Sequence, residues 1–396
     1  MGLMTRSGGA RLRRISGGVA LAALLAAGAA AAAPAAAQVR AVSVIVRGNG
    51  SGCTDSVAHD VAALGGRMTY RIGLLGGGAA VLPSTSVAAL QADPCVLAVT
   101  PDGTLQLDSI GGYDPASDAG SLYSTAQMVG AQQMWKHGYS GQGVGVALID
   151  TGVAPVQGLA ASGQVINGPD LSFDSQTPQL TYSDEYGHGT HMAGIIAGND
   201  LWGSGQSAQN YAGNQNNFIG IAPDSHILNM KVGDENGVVD VSQVLAAIDW
   251  VVQHKDDQGL NIRVLNLSFG TQSTQGYLLD PLAFAAEQAW HQGIVVVVSA
   301  GNNGSSSGQL NDPAYDPYVI AVGAADTHNT VGTADDTVAS FSSTGDGTRN
   351  PDLVAPGVHI ASLRDPGSVI DLAYGSTAAV GTRFFRGSGT SQAAAV

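Results

Sequence analysis

Two cysteines in 396 residues leave nothing from which to build a four-cysteine zinc site or a disulfide scaffold. Aromatic residues make up 6% of the chain and charged residues 12%, with Gly at 55 positions. Such a composition excludes a coiled coil and a disordered polyelectrolyte, and suits a closely packed α/β protein rich in Ala, Val and Gly. Basic residues are scarcest where they would matter for nucleic acids. Four Arg (Arg6, Arg11, Arg13, Arg14) fall in the first 37 residues, so the remainder holds 12 Lys and Arg against 31 Asp and Glu. A surface of that sign repels phosphate backbones, and nucleic-acid partners are not expected.

What is present first is a leader. Residues 1–37 pair a basic start with an Ala/Leu/Val/Gly stretch and end on Ala35-Ala36-Ala37, the pattern of an export signal, so the protein is expected to be secreted. Gly17, Gly18, Gly28 and Pro34 make the same stretch a poor stable membrane anchor. In an exported chain Cys53 and Cys95 are expected to form a disulfide.

From Gln38 to about Leu107 the order strand–helix–strand–strand–helix–strand describes a small ferredoxin-like α+β module. Asp108–Ser121 reads as linker. Beyond it, continuous apolar strands (144–149, 227–232, 263–269, 294–299 and 318–322) alternate with helices at 188–198, 241–254 and 278–291. Strands without two-fold alternation are covered on both faces, which points to a mainly parallel sheet between helical layers, a three-layer α/β fold.

Four stretches could carry chemistry. Val144–Ile149 runs into Asp150-Thr151-Gly152, an acid at the carboxyl end of a buried strand, where open α/β sheets place their sites. The shared-proton chemistry of aspartic proteases needs a second such motif, which the chain lacks; a capping or turn Asp stays open. Tyr186-Gly187-His188-Gly189-Thr190-His191 places a His at a helix start, suited to a general base if a carboxylate holds its other nitrogen. No Glu lies between the two His, so the zincin pattern is absent, and His191 is expected to pack rather than react. Ile294–Ser299 leads to Ala300-Gly301-Asn302-Asn303-Gly304, either a turn or a side-chain amide poised over a sheet edge. Gly387-Ser388-Gly389-Thr390-Ser391, followed by Gln392 and an Ala run, is either a loop or a nucleophile at a tight corner before a helix.

Taken together, Ala147–Gly152, Tyr186–Gly194 and Gly389–Ala393 resemble the Asp, His and Ser motifs of the subtilisin-like serine proteases, in that family's order. Leu265–Gly270 resembles its cleft strand and Pro351–Val358 its segment leading to the Ser. The resemblance runs from about Met134 to the last residue. It implies the subtilisin-like fold and a secreted serine endopeptidase that hydrolyses polypeptides as a monomer. It implies Asp150, His188 and Ser391 as catalytic triad, Asn302 as oxyanion donor, and Leu267, Ser268, Phe269, Gly270, Ser299, Ala300 and Gly301 as substrate-binding positions. It also implies that 38–108 is an inhibitor-like propeptide removed by self-cleavage between Thr104 and Tyr113, leaving a peptidase domain over 109–396. No metal is expected in the chemistry; structural calcium in the polar loop Asn199–Asn217 is left open.

The chain departs from the family near its end. Five residues follow Ser391, where the family usually continues as a long buried helix, and Ala395 stands where the family usually has Pro. A half-turn buries no apolar face, so the 396 residues as given are expected to fold poorly and to be nearly inactive. A catalytically dead subtilisin-like binding module is the alternative.

Overall fold

A computed structural model describes residues 40–49, 53–72, 76–101, 114–273 and 275–396. The expected leader and the expected cleavage window lie outside the described residues. The chain divides into two compact units, Met1–Gln106 and Leu107–Val396.

In the smaller unit, strands β1 (Ala41–Gly48), β2 (Arg67–Ile72), β3 (Gly77–Pro83) and β4 (Val96–Pro101) form an antiparallel sheet in the order β2-β3-β1-β4. Helices α1 (Thr54–Ala63) and α2 (Val87–Gln91) complete the ferredoxin-like order. Val44, Val46, Val57, Val61, Leu82 and Leu90 form its core. The structure joins Cys53 to Cys95, with their Cα atoms 5.5 Å apart.

The larger unit begins with α3 (Leu122–Met128) and α4 (Ala131–Lys136), then β5 (Gly145–Asp150), β6 (Val165–Asn167), α5 (His188–Ala197) and β7 (His226–Lys231). It continues with α6 (Val241–His254), β8 (Ile262–Leu267), α7 (Pro281–His291), β9 (Val295–Ser299), β10 (Ile320–Asp326) and β11 (Thr337–Val338). It ends with β12 (Leu353–Pro356), β13 (Ile360–Leu363), α8 (Val369–Ala378), β14 (Ala379–Val380), β15 (Phe384–Gly387) and α9 (Thr390–Ala395). The main sheet runs β11-β10-β9-β8-β5-β7-β6 with β12 beside β10, and every pairing except β10–β11 is parallel. This is the mainly parallel, three-layer arrangement that the unalternating strands predict.

Strand β5 shows why. All six of its residues are buried. Ala147 and Ile149 pack under α6 and α7, while Val146 and Leu148 pack under α5 and the end of α9. Helix α6 matches its expected range, and Gln243 Oε1 accepts from the Asp240 N–H at 2.7 Å, the return half of a capping box. Val244, Ile248 and Val251 on one face of the helix are buried, while Val241, in the first turn, is exposed.

Helix α7 starts three residues later than expected. Asp280 accepts from the N–H groups of Leu282 and Ala283, and Pro281, which needs no partner for its nitrogen, occupies the first turn. No helix among the described residues is long and apolar enough to cross a membrane.

Candidate active site

Asp150 closes β5 at the carboxyl edge of the sheet and is 3% exposed. Its Oδ1 lies 2.8 Å from His188 Nδ1 and accepts from the Thr151 N–H at 2.8 Å. His188 is the first residue of α5, with 22% of its side chain exposed.

Two glycines allow this closeness. Gly187 precedes the helix at φ +101, and a Cβ there would come within 2.4 Å of Ser368 Oγ. A Cβ on Gly189 would lie 2.1 Å from the Gly152 carbonyl oxygen and 3.2 Å from Asp150. Any larger residue at position 189 would push the helix away from the acid.

Burial pulls the His188 imidazole toward a lower pKa. The Asp150 carboxylate, by charge and hydrogen bond, and the charge of Asp184 outweigh that, so the net direction is up. His191 behaves oppositely: burial takes it down to about 4, and its Nε2 lies 3.0 Å from the Phe385 carbonyl oxygen. Held there in its neutral form, it ties α5 to β15, the packing role that its position suggests.

Ser391 sits in the first turn of α9, 9% exposed. Its hydroxyl donates to the Ser268 carbonyl at 2.7 Å, and its own carbonyl accepts from Ser268 Oγ at 3.3 Å. Asn266 Nδ2 donates to the Ala394 carbonyl at 3.1 Å. The end of β8 therefore grips α9 at two levels. Among the described residues, the bond of the Ser391 hydroxyl is to Ser268 and not to His188. The structure thus joins Asp150 to His188 and leaves Ser391 turned toward β8.

Asn302 is oriented by its neighbours. Its Oδ1 accepts from Thr390 N at 2.9 Å and from Thr390 Oγ1 at 3.0 Å, which directs Nδ2 the other way. A Cβ placed on Gly389 would lie 3.4 Å from Asn302 Nδ2 and 3.7 Å from Ser391 N. Two N–H donors thus lie near the space beside Gly389, which the Gln392 side-chain oxygen also borders, 2.7 Å from the same Cβ position. Thr390 was not singled out by the sequence, because a Thr between Gly and Ser carries no signal until it is folded against Asn302.

The expected substrate-binding positions divide. Leu267, Ser268, Ser299 and Ala300 are buried and present no side-chain surface, whereas Phe269 packs against the core but stays partly exposed. The Ala300 N–H donates to Val322 O, and the Gly301 N–H to Thr390 Oγ1. Ala300 O and Gly301 O accept from the N–H groups of Asn311 and Ser343. Among the described residues the Phe269 and Gly270 backbones have no hydrogen bond and form the open edge. Asn311 lies between the two segments: a Cβ on Gly270 or Gly301 would come within 3.0 Å or 2.6 Å of it.

The loop 199–217 uses its own oxygens. Asp200 pairs with Arg383 and accepts from Phe218 N, and Asn199 Oδ1 accepts from Leu201 N. Asn214 Oδ1 accepts from Asn216 N, Asn217 N and Asn217 Nδ2.

A buried carboxylate–imidazole pair therefore stands at the carboxyl edge of the parallel sheet, and a serine opens the helix that packs against the end of β8. The profile of the subtilase family (peptidase S8) matches residues 141–396, and the chain belongs to that family. Serine protease AprX of Bacillus subtilis strain 168 is 38% identical over 260 residues, covering 64% of this chain and 55% of AprX. Minor extracellular protease Epr of the same organism is 32% identical over 231 residues, covering 58% of this chain and 29% of Epr. Subtilisin E, also from that strain, is 30% identical over 317 residues, covering 78% of this chain and 68% of its own length. The chain thus spans about half the length of AprX.

Proposed function

We propose that the chain is a secreted serine endopeptidase acting on polypeptides through Asp150, His188 and Ser391. The observation that carries this reading is the 2.8 Å bond between His188 Nδ1 and the buried Asp150 carboxylate, which commits one ring nitrogen and leaves Nε2 for proton transfer. Rotation of the Ser391 side chain away from Ser268 O delivers Oγ to the imidazole. Oγ then attacks the peptide carbonyl while His188 takes its proton and passes it to the leaving amine. Water resolves the acyl-enzyme by the same route. Asn302 Nδ2 and the Ser391 N–H hold the oxyanion, and an extended substrate pairs with the Phe269–Gly270 edge.

The leader over 1–37 supports secretion, as does the extracellular relative Epr. The 38–108 unit acts as an inhibitor-like propeptide, so N-terminal sequencing of active protein begins between 104 and 113; a start at Gln38 defeats this part. Structural calcium in the 199–217 loop would have to displace hydrogen bonds already formed there, and a chelator is expected to leave the melting temperature unchanged.

The deciding experiment is casein hydrolysis by the protein and its Ser391→Ala variant. Loss of the activity in the variant supports the reading. No hydrolysis by either, with normal folding, selects the binding-module alternative, which the turned-away Ser391 hydroxyl favours.

A further inference from the structure

Asp184 takes no part in the proposed triad, yet among the described residues of the larger unit no side chain is more completely enclosed: its exposure is 0%. Its Oδ1 accepts from Thr151 Oγ1 at 2.7 Å and from Gly187 N at 2.8 Å, and its Oδ2 accepts from Thr190 N at 2.7 Å. The Thr190 hydroxyl also bonds to it. Both threonines pass the connection onward. Thr151 Oγ1 accepts from Gly189 N at 3.0 Å, and Thr190 Oγ1 accepts from Ala154 N at 2.9 Å.

One carboxylate therefore stitches the turn after β5, which carries Asp150, to the first residues of α5, which carry His188. Each stitch flanks a triad member: Thr151 follows Asp150, while Gly187 and Gly189 bracket His188. The partners contribute donors, and an acceptor-only carboxylate is the group that satisfies them all. Burying a charge without such partners would cost several kcal/mol. A core needing only to be filled at this position would be served by an apolar residue.

We propose that Asp184 is a positioning residue of the triad, holding the imidazole of His188 in register with Asp150 through Thr151 and the α5 start. The inference rests on the serine-protease reading given above. Its chemical effect has two parts. The hydrogen bonds fix the ring plane against the Asp150 carboxylate, and the buried negative charge favours the imidazolium that forms when Ser391 loses its proton.

The charges around this unit are few. His188 faces Asp150 from β5, Asp184 from the preceding loop and neutral His191 from its own helix. Asp184 in turn faces Asp365, from the segment before α8, which burial and the charges of Asp184, Glu185 and Asp371 push up to about 7. Because Asp365 titrates in the same range as the imidazole, the measurement needs a background without it.

The test follows the far-downfield NMR proton of the His188–Asp150 hydrogen bond against pH, together with kcat and KM on a peptide anilide, in the full chain. Asp184→Asn is expected to move the titration midpoint to lower pH, in the parent and in an Asp365→Asn background alike. It is expected to lower kcat roughly ten- to a hundred-fold with KM within about two-fold, as a small misalignment of a catalytic group does. Thr151→Val is expected to lower kcat similarly, and Thr151→Ser to restore it.

A purely structural Asp184 would change the melting temperature and leave midpoint and kcat where they were; that result overturns the proposal. If Asp184→Asn does not fold, wild-type kcat in Thr151→Val overturns it instead. Ser391→Ala, measured alongside, separates the two readings. Should that variant keep full activity, the triad itself is wrong, and the NMR midpoint still reports on Asp184.

Discussion

The two faces of the main sheet are filled differently. Beneath α6 and α7 the strands pack into one continuous cluster that includes Ile149, Met230, Leu265, Val296 and Ile248, none more than 2% exposed. Across the sheet, beside α5 and α9, lies a cavity of about 800 Å³, bordered by Val146, Val264, Val297, Ile320, Val322 and Val396. The proposed triad residues stand on the second face or at its rim. The fully packed face holds the strands in register; on the other, packing is incomplete beside the last residues of α9, Ala393–Ala395. Stability and chemistry are thus largely separable in this fold, and substitutions on the two faces should show it.

The largest expected effect is on chemistry. Asn302→Ala lowers kcat by about 10²–10³, a magnitude carried over from subtilisin itself, with only a small fall in melting temperature from the acceptor that buried Thr390 loses. A large fall in melting temperature would place Asn302 among the scaffold residues and blur the division. Next, Ile248→Ala on the packed face is expected to cost about 2–5 kcal/mol in denaturant unfolding, whereas Ile320→Ala, beside the cavity, costs about 1–2 kcal/mol because its surroundings already lack contacts. Equal costs would mean that the cavity is not a real void.

The most gradual effect is a pH dependence, spread over about two pH units. The His191 pKa falls from an ordinary value near 6.5 to about 4 on folding. Between those limits the unfolded chain binds the extra proton, so stability is retained above about pH 6.5 and lost as pH drops toward 4, by up to about 3 kcal/mol. His191→Gln, which keeps a donor for Phe385 O, should flatten the melting temperature over that range. An unchanged slope would assign the acid sensitivity to the carboxylates instead.

Long buried strands were the most readable part of the chain. Strands β5, β7, β8 and β9 and helix α6 are apolar enough, over five residues or more, for periodicity to identify them to within a residue or two. The pieces that escaped are β6 and β11–β15, which run for two to four residues, and helices α3, α4 and α8. Strands so short have no period to detect, and α8 includes Gly375 and exposes Leu372 and Tyr374, so its pattern is not that of a buried helix.

At the site, Asp150 and His188 could be paired from motif order because each lies at the end of a regular element. Asp184, Thr151 and Thr190 could not, since their roles depend on hydrogen bonds across 33 to 36 residues of chain. The direction of the Ser391 hydroxyl is a side-chain rotation, which no spacing of residues encodes.

The contact between Thr390 and Asn302 has a consequence for how this site tolerates change. Because Thr390, next to the proposed nucleophile, clasps the Asn302 amide by its oxygen, a drift of the α9 tip carries the proposed anion-stabilising donor along with the Ser391 hydroxyl. Their mutual spacing survives small displacements, and what such a shift would spoil is the meeting of this pair with the histidine on the opposite bank.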